Sequence, residues 1–111
     1  MSSITTHVLD IGRGRPAADV PVRLERLDGA QYTELAAGST DDDGRVDDLG
    51  SDQLDAATYR LVFDTDAYFA ATGQTGFYPE VSVAFAVADP AEHHHVPLLL
   101  SPFGYSTYRG S

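Results

Sequence analysis

The segment from Glu92 to Ser111 concentrates side chains that can exchange protons or bind an anion. It reads EHHHVPLLLSPFGYSTYRGS, so histidine, tyrosine, arginine and serine stand beside an apolar run. Imidazole titrates near neutral pH and serves as a general acid or base, and a guanidinium binds planar oxygen-rich groups through paired hydrogen bonds. A further histidine, His7, lies beside Leu9 near the start of the sequence. These residue types predict an acid–base site if the fold brings them together.

Strand alternation decides which of these side chains share a face. From His95 onward, one face carries His95, Pro97 and Leu99, and the other face is wholly apolar. A strand with one wet face alternates apolar with polar residues, so this two-sided apolar pattern predicts that the outer face is covered. A second copy of the chain is the favoured cover, and Tyr108 is expected on the same covered face. A strand buried within its own fold is the alternative.

Other kinds of site fit the sequence less well. His93 and His95 are expected to point to one side, but no further metal ligand is fixed by spacing, so no metal is expected. The acidic turn DDDGRVDD lacks the spacing of a calcium loop. No G-x-S-x-G occurs, which disfavours a serine hydrolase.

Short strands separated by turn residues must position the candidate side chains. The alternating segments number seven or eight, and Asp28-Gly29 is a strong hairpin signal. The segment Thr65 to Thr72 predicts one short helix, with Thr65 or Asp66 as its N-cap and Gly73 as its stop. The pattern indicates a sandwich of two antiparallel sheets. The expected strands begin at Ile4, Val20, Gln31, Arg45, Ala57, Val81, His95 and Tyr105, the last of them running to Arg109.

Composition limits the function classes. The 111 residues predict a single domain, residues 1–111. A net charge of −10 disfavours binding to nucleic acid or to an anionic membrane surface. The start of the sequence shows no secretory signal and no apolar run is long enough to span a bilayer, so a cytoplasmic location is expected.

Several motifs together resemble those of the 5-hydroxyisourate hydrolase family, the transthyretin-like enzymes of urate (purine) degradation. They are TTHVLD followed by GRPAADVPVRLE, the central GRV, FYPEVSVAF and the closing HVPLLLSPFGYSTYRGS. The resemblance spans essentially the whole sequence, and the terminal YRGS is its most specific part. It implies a mainly β, transthyretin-like sandwich of two four-stranded antiparallel sheets with one short helix. It also implies a homotetramer, a dimer of dimers, with active sites in a channel between dimers.

The resemblance further implies hydrolysis of 5-hydroxyisourate to 2-oxo-4-hydroxy-4-carboxy-5-ureidoimidazoline without a metal or organic cofactor. Arg45 is expected to polarise the substrate, either His7 or His95 to deprotonate water, and Ser111 to position water or substrate. His94 stands where the family usually has tyrosine, a departure expected to be tolerated. A transthyretin-type carrier of small ligands, without catalysis, is the alternative. The residues that the resemblance assigns to the site are His7, Arg45, His95, Tyr108, Arg109, Gly110 and Ser111.

Overall fold

The computed structural model describes residues 4–49 and 54–111. Within these ranges the chain forms nine strands and one helix, and none of it forms a helix long and apolar enough to cross a membrane. The elements are β1 Ile4–Asp10, β2 Arg15–Pro16, β3 Pro21–Asp28, β4 Gln31–Ser39, β5 Arg45–Leu49, β6 Ala57–Phe63, α1 Thr65–Ala71, β7 Val81–Val87, β8 His94–Ser101 and β9 Gly104–Thr107.

The strands form two sheets, which confirms the predicted mainly β sandwich with one short helix. One sheet has four strands in the order β4-β3-β6-β7. The other has five, in the order β2-β1-β8-β9 with β5 also paired to β1.

The five-stranded sheet differs from the prediction in two details, and both arise at β1. This strand pairs along its whole length with β8, and that pairing is parallel, although only antiparallel pairs were expected. One edge of β1 is paired with β8. The other edge is shared by β2 and β5, each of which pairs with part of its length. The sheet is therefore four strands wide, although it contains five.

The core lies between the sheets and follows the predicted alternation. Tyr59, Leu61 and Phe63 on β6 are fully buried and face Val8 on β1 and Leu98 on β8 within one cluster. His7 on β1 and His95 on β8 alternate with these core residues and therefore lie on the opposite, outer face of the sheet.

The N-cap of helix α1 lies earlier in the chain than the sequence predicted. Asp64, not Thr65 or Asp66, is the N-cap, and its carboxylate accepts a hydrogen bond from the backbone N–H of Ala67 at 3.0 Å. The hydroxyl of Thr65 donates instead to the carbonyl of Tyr78 at 2.5 Å, so it is not free to cap the helix. Gly73 follows the helix with a positive φ of 69°, as the stop signal predicted.

A buried hydrogen bond ties α1 to the end of β1. The hydroxyl of Tyr68 donates to the Asp10 carboxylate at 2.6 Å, and the backbone N–H of Arg13 donates to the same group at 3.0 Å. Burial on its own raises the pKa of Asp10, but the hydrogen bonds from Tyr68, Arg13 and Gln74 outweigh it and leave this pKa below its usual value. Burial first, and then the bond to Asp10, raise the pKa of Tyr68 to about 12, so its hydroxyl remains a donor at physiological pH.

Candidate active site

The outer face of the five-stranded sheet brings His7, Arg45 and His95 together. His7 on β1 lies directly opposite Arg45 on β5 in the antiparallel register. On the other side of β1, His95 on β8 lies opposite Thr5, two residues from His7 and on the same face. Three of the predicted site residues therefore share one surface formed by three adjacent strands.

A tight turn sets the position of Arg45. The Asp41 carboxylate accepts hydrogen bonds from the backbone N–H groups of Asp43 and Arg45, each at 2.9 Å. Gly44 has a positive φ of 77°, and a Cβ there would lie 2.3 Å from the carbonyl oxygen of Val8, so the close approach of this turn to β1 requires glycine. The acidic turn, which lacks the spacing of a calcium loop, thus has a structural role in starting β5.

His7 is held in one tautomer by the same turn. Its Nε2 lies 2.8 Å from the carbonyl oxygen of Asp43. A carbonyl oxygen only accepts hydrogen bonds, so Nε2 carries the proton. In the neutral ring, Nδ1 is then the nitrogen with a lone pair available for chemistry.

His95 is held from two sides. Its Nδ1 lies 2.7 Å from the Thr5 hydroxyl, and the backbone N–H of Gly110 donates to the His95 carbonyl at 2.9 Å. Gly110 also lies against the imidazole, because a Cβ added there would be 2.5 Å from Cδ2 of His95. Among the described residues none engages Nε2, which is the ring nitrogen left for a substrate or water.

Burial and neighbouring positive charge disfavour a proton on His95. Burial lowers the pKa of His95 most, and the charges of Arg45, His93 and His7 lower it further, while Asp47 opposes them. The imidazole is therefore kept neutral at neutral pH, as a general base requires.

The terminal tetrapeptide is only partly where strand alternation placed it. The final strand, β9, ends at Thr107, so the predicted strand from Tyr105 to Arg109 is too long. Tyr108 is 57% exposed in the single chain and follows the last residue of β9, and its place on a face covered by a second copy stays a prediction. The chain continues to Gly110, which forms an isolated bridge with His95.

Tyr108 and Arg109 line a groove with His95 at the edge of the sandwich. The groove has a volume of about 320 Å³, and it opens between the two sheets, because its walls include the segment 83–86 of β7 and the buried His94 and Val96 of β8. Arg109 also lies 3.6 Å from Glu92, with both side chains exposed. Ser111 is exposed and follows Gly110, so it ends next to the residue that contacts His95.

Thr5 and His93 were not assigned to the site from the sequence. The Thr5 hydroxyl lies 2.8 Å from Nε2 of His93 as well as 2.7 Å from Nδ1 of His95. Strand alternation could have identified Thr5, since it lies two residues before His7 on β1 and therefore shares its face. His93 and His95 do point to one side, as expected, but in the described part of the chain no three histidine, cysteine or acidic side chains are placed to hold a metal ion.

His94 faces the interior, away from His95, as alternation predicted. It is 5% exposed, and its Nδ1 has no hydrogen-bond partner among the described residues. Its exclusion from catalysis stays a prediction.

The arrangement combines one guanidinium with two imidazoles that offer different ring nitrogens. A guanidinium polarises a carbonyl oxygen, and a neutral imidazole accepts a proton from water. The geometry suits hydrolytic attack on a small polar substrate placed over the outer face of β1.

Comparisons with known proteins agree with this interpretation. A profile of the HIUase/Transthyretin family matches residues 4–110. A 5-hydroxyisourate hydrolase of Caulobacter vibrioides is 47% identical over 115 aligned positions, which cover 100% of both chains.

Two solved structures, one of a hydrolase and one of a transthyretin in complex with its ligand, have folds similar to that of this chain. The chain matches the 5-hydroxyisourate hydrolase of Klebsiella pneumoniae with a TM-score of 0.87 and 38% identity, covering 100% of this chain and 94% of that one. It matches sea bream transthyretin, solved in complex with thyroxine, with a TM-score of 0.90 and 33% identity, covering 97% of this chain and 94% of that one. Backbone similarity alone does not separate a hydrolase from a carrier, so the side chains must do so.

Proposed function

This chain belongs to the HIUase/Transthyretin family, and we propose that it is a hydrolase that opens the ring of 5-hydroxyisourate. The product is 2-oxo-4-hydroxy-4-carboxy-5-ureidoimidazoline, formed in urate degradation. The observation that carries this proposal is the convergence of His7, Arg45 and His95 on one face of the five-stranded sheet. A carrier needs an apolar channel, whereas this face presents proton-transfer groups and a guanidinium.

Arg45 binds and polarises the substrate. The reacting amide carbonyl gains negative charge when water adds to its carbon, and a guanidinium beside it stabilises that charge. The short turn that ends at Gly44 holds the backbone of Arg45 against β1, so less conformational freedom is lost on binding.

His95 is the base that deprotonates water. Its low pKa keeps it neutral, and Nε2 is directed away from the hydrogen bond that Nδ1 makes with Thr5. Water adds its oxygen to the carbonyl carbon, the cyclic C–N bond breaks, and the departing nitrogen takes up the proton. His7, whose ring is oriented by the Asp43 carbonyl, stabilises the intermediate from the other side of β1.

The terminal segment closes the site. Tyr108 and Arg109 line the groove beside His95 and orient the substrate, and Gly110 permits close approach to the imidazole. Ser111 positions water or substrate through its hydroxyl.

The proposed assembly is a homotetramer, a dimer of dimers, in which a second copy covers the open face of the site. Leu99 supports this assembly because it is only half-buried on that face within one chain. Pro97, the other predicted contact, is already buried by its own chain and adds little to an interface. The cytoplasmic location stays a prediction.

The test is an ultraviolet assay that follows the decay of freshly generated 5-hydroxyisourate with and without the protein. We expect strong acceleration, which a variant lacking Tyr108 to Ser111 loses while its circular dichroism and thermal unfolding stay close to those of the full chain. A protein that binds small aromatic ligands without accelerating the decay is a carrier, and that result contradicts the proposal. If the truncated chain keeps full activity, only the role assigned to the terminal segment is contradicted, and the proposed hydrolase function is not.

A further inference from the structure

The Thr5 hydroxyl lies between two imidazoles. Its oxygen is 2.7 Å from Nδ1 of His95 and 2.8 Å from Nε2 of His93, and the ring centroids are 6.3 Å apart. Thr5 itself is 7% exposed, whereas His93 is exposed and precedes the first residue of β8. The three side chains form a short path from the candidate site to solvent.

A hydroxyl has one proton and two lone pairs, so Thr5 can donate to only one of the two rings and must accept from the other, or accept from both. If Thr5 donates to His93, then Nδ1 of His95 must carry a proton and donate to Thr5. If Thr5 donates to His95, then Nε2 of His93 must carry the proton instead. While both hydrogen bonds persist, Nδ1 of His95 and Nε2 of His93 therefore cannot both be bare, so the protonation states of the two rings are linked through one oxygen atom.

Resting on the proposed hydrolase function, we infer that His93 is a positioning residue of the active site and shares one proton with His95 through the Thr5 hydroxyl. In the resting state His95 donates from Nδ1 to Thr5, Thr5 donates to Nε2 of His93, and Nε2 of His95 is a free base. This is the tautomer of His95 that general base catalysis requires.

The link also determines where the positive charge goes. When Nε2 of His95 takes a proton from water, its Nδ1 proton passes to Thr5 and the Thr5 proton passes to Nε2 of His93. His95 ends neutral, and the charge lies on His93 in contact with solvent. The reverse transfer returns the proton to the departing nitrogen, so protons and charge balance over the cycle.

The surroundings of His95 favour this displacement of charge. Burial, together with Arg45 and His7 nearby, lowers the pKa of His95, so a lasting positive charge there is unfavourable. His93 is exposed, and water solvates its charge. The charged and titratable groups that act on His95 are Arg45 and Asp47 on β5, His7 on β1, and His93. Arg109, which lies 3.6 Å from Glu92, lines the groove beside it together with Tyr108.

The first test measures the link without substrate, on the full chain. Nitrogen-15 chemical shifts distinguish protonated from bare imidazole nitrogens, so they report the tautomer of each ring. We expect Nδ1 of His95 protonated and Nε2 of His93 bare above the titration of both rings. In Thr5→Val, which keeps the shape of the side chain but removes the hydroxyl, both nitrogens lose this fixed pattern. An unchanged pattern in Thr5→Val overturns the inference.

The second test uses the hydrolysis assay. We expect Thr5→Val to lower kcat about 10- to 100-fold with little change in KM, which is part of the roughly 10²- to 10⁴-fold contribution of general acid–base catalysis. Thr5→Ser restores the hydroxyl and most of the rate. His93→Gln keeps a hydrogen-bonding group but cannot take up a proton, so it lowers kcat as Thr5→Val does.

The two tests separate the inference from the function on which it rests. If the protein does not hydrolyse 5-hydroxyisourate but the nitrogen shifts show the linked tautomers, only the proposed function fails. If it hydrolyses the substrate and Thr5→Val retains native kcat, the linked pair has no role in catalysis and the inference is wrong.

Discussion

Replacing Gly110 by alanine is the sharpest single change that the site offers. Its backbone φ does not lie in the positive range that favours glycine, so alanine is excluded only by what its Cβ would touch. That Cβ would lie 2.5 Å from Cδ2 of His95, where ordinary contacts begin at 3.4 Å. Either the imidazole or the terminal segment must move by about 0.9 Å, the difference between these two distances.

A displacement of this size has a predictable cost. A misplacement of about 1 Å in a catalytic group lowers the rate roughly 100-fold, because the reacting atoms leave the geometry of attack. Stability should change little, since the segment is at the surface and the hydrogen bond at risk, from Gly110 N–H to the His95 carbonyl at 2.9 Å, contributes only about 1 kcal/mol. We therefore expect Gly110→Ala to lose about 100-fold in kcat/KM while it unfolds within a few degrees of the native protein.

The ultraviolet assay of 5-hydroxyisourate decay measures this effect, and the same hairpin supplies a control. A Cβ at Gly104 would meet its nearest neighbour, Oγ of Ser101, at 3.8 Å, which is an ordinary contact. Gly104→Ala should therefore keep native activity. If Gly110→Ala is as active as Gly104→Ala, the close packing of the terminal segment on His95 does not matter for the reaction, and the argument for a closed site fails.

Three further changes test the surrounding structure. Asp10→Asn removes the charged acceptor of the Tyr68 hydroxyl and should lower the free energy of unfolding by about 1–3 kcal/mol. Because the pKa of Asp10 is lowered in the folded protein, its stabilising contribution is present above about pH 4, the ordinary pKa of an aspartate, and is lost as the pH falls below that value. Thermal unfolding measured from pH 7 to pH 3 should therefore show a smaller acid-induced loss of stability in the variant, and an equal loss in both proteins would contradict the role of this bond. His94→Tyr should keep activity and raise the free energy of unfolding by about 1 kcal/mol in urea titrations, since it removes a buried Nδ1 without a partner among the described residues. A destabilised variant would show that His94 has a packing role that tyrosine cannot fill. Leu99→Glu places a charge on the proposed interface and should yield dimers with weakened activity in light scattering, so fully active tetramers would place the interface elsewhere.

Local signals in the sequence predicted the strands well because each depends on neighbouring residues. Alternation on β6 and β7, the Asp28-Gly29 hairpin and the Gly73 stop all involve contacts a few positions apart. The N-cap was assigned wrongly for the same local reason. Three polar residues stand in a row at Asp64 to Asp66, and the hydroxyl of Thr65 is taken by Tyr78, which is 13 positions away.

The site could be predicted only where alternation and family resemblance acted together. Alternation alone separated His95 from His94, and the structure confirms that the two face opposite sides. The parallel pairing of β1 with β8 has no local signal, so nothing in the sequence indicated that Thr5 lies opposite His95. The bridge between Gly110 and His95, which keeps the terminal segment beside β8 after β9 has ended, was missed for the same reason.

The parallel pairing of β1 with β8 also affects how the chain folds. The two strands are separated by almost the whole sequence. One edge of β1 therefore stays unpaired while most of the chain is synthesised. Its other edge can be covered earlier by β2 and β5, which follow it closely. During translation the exposed edge of β1 is therefore open to pairing with a neighbouring nascent chain, and neither the core nor the catalytic face is complete until β8 has been made.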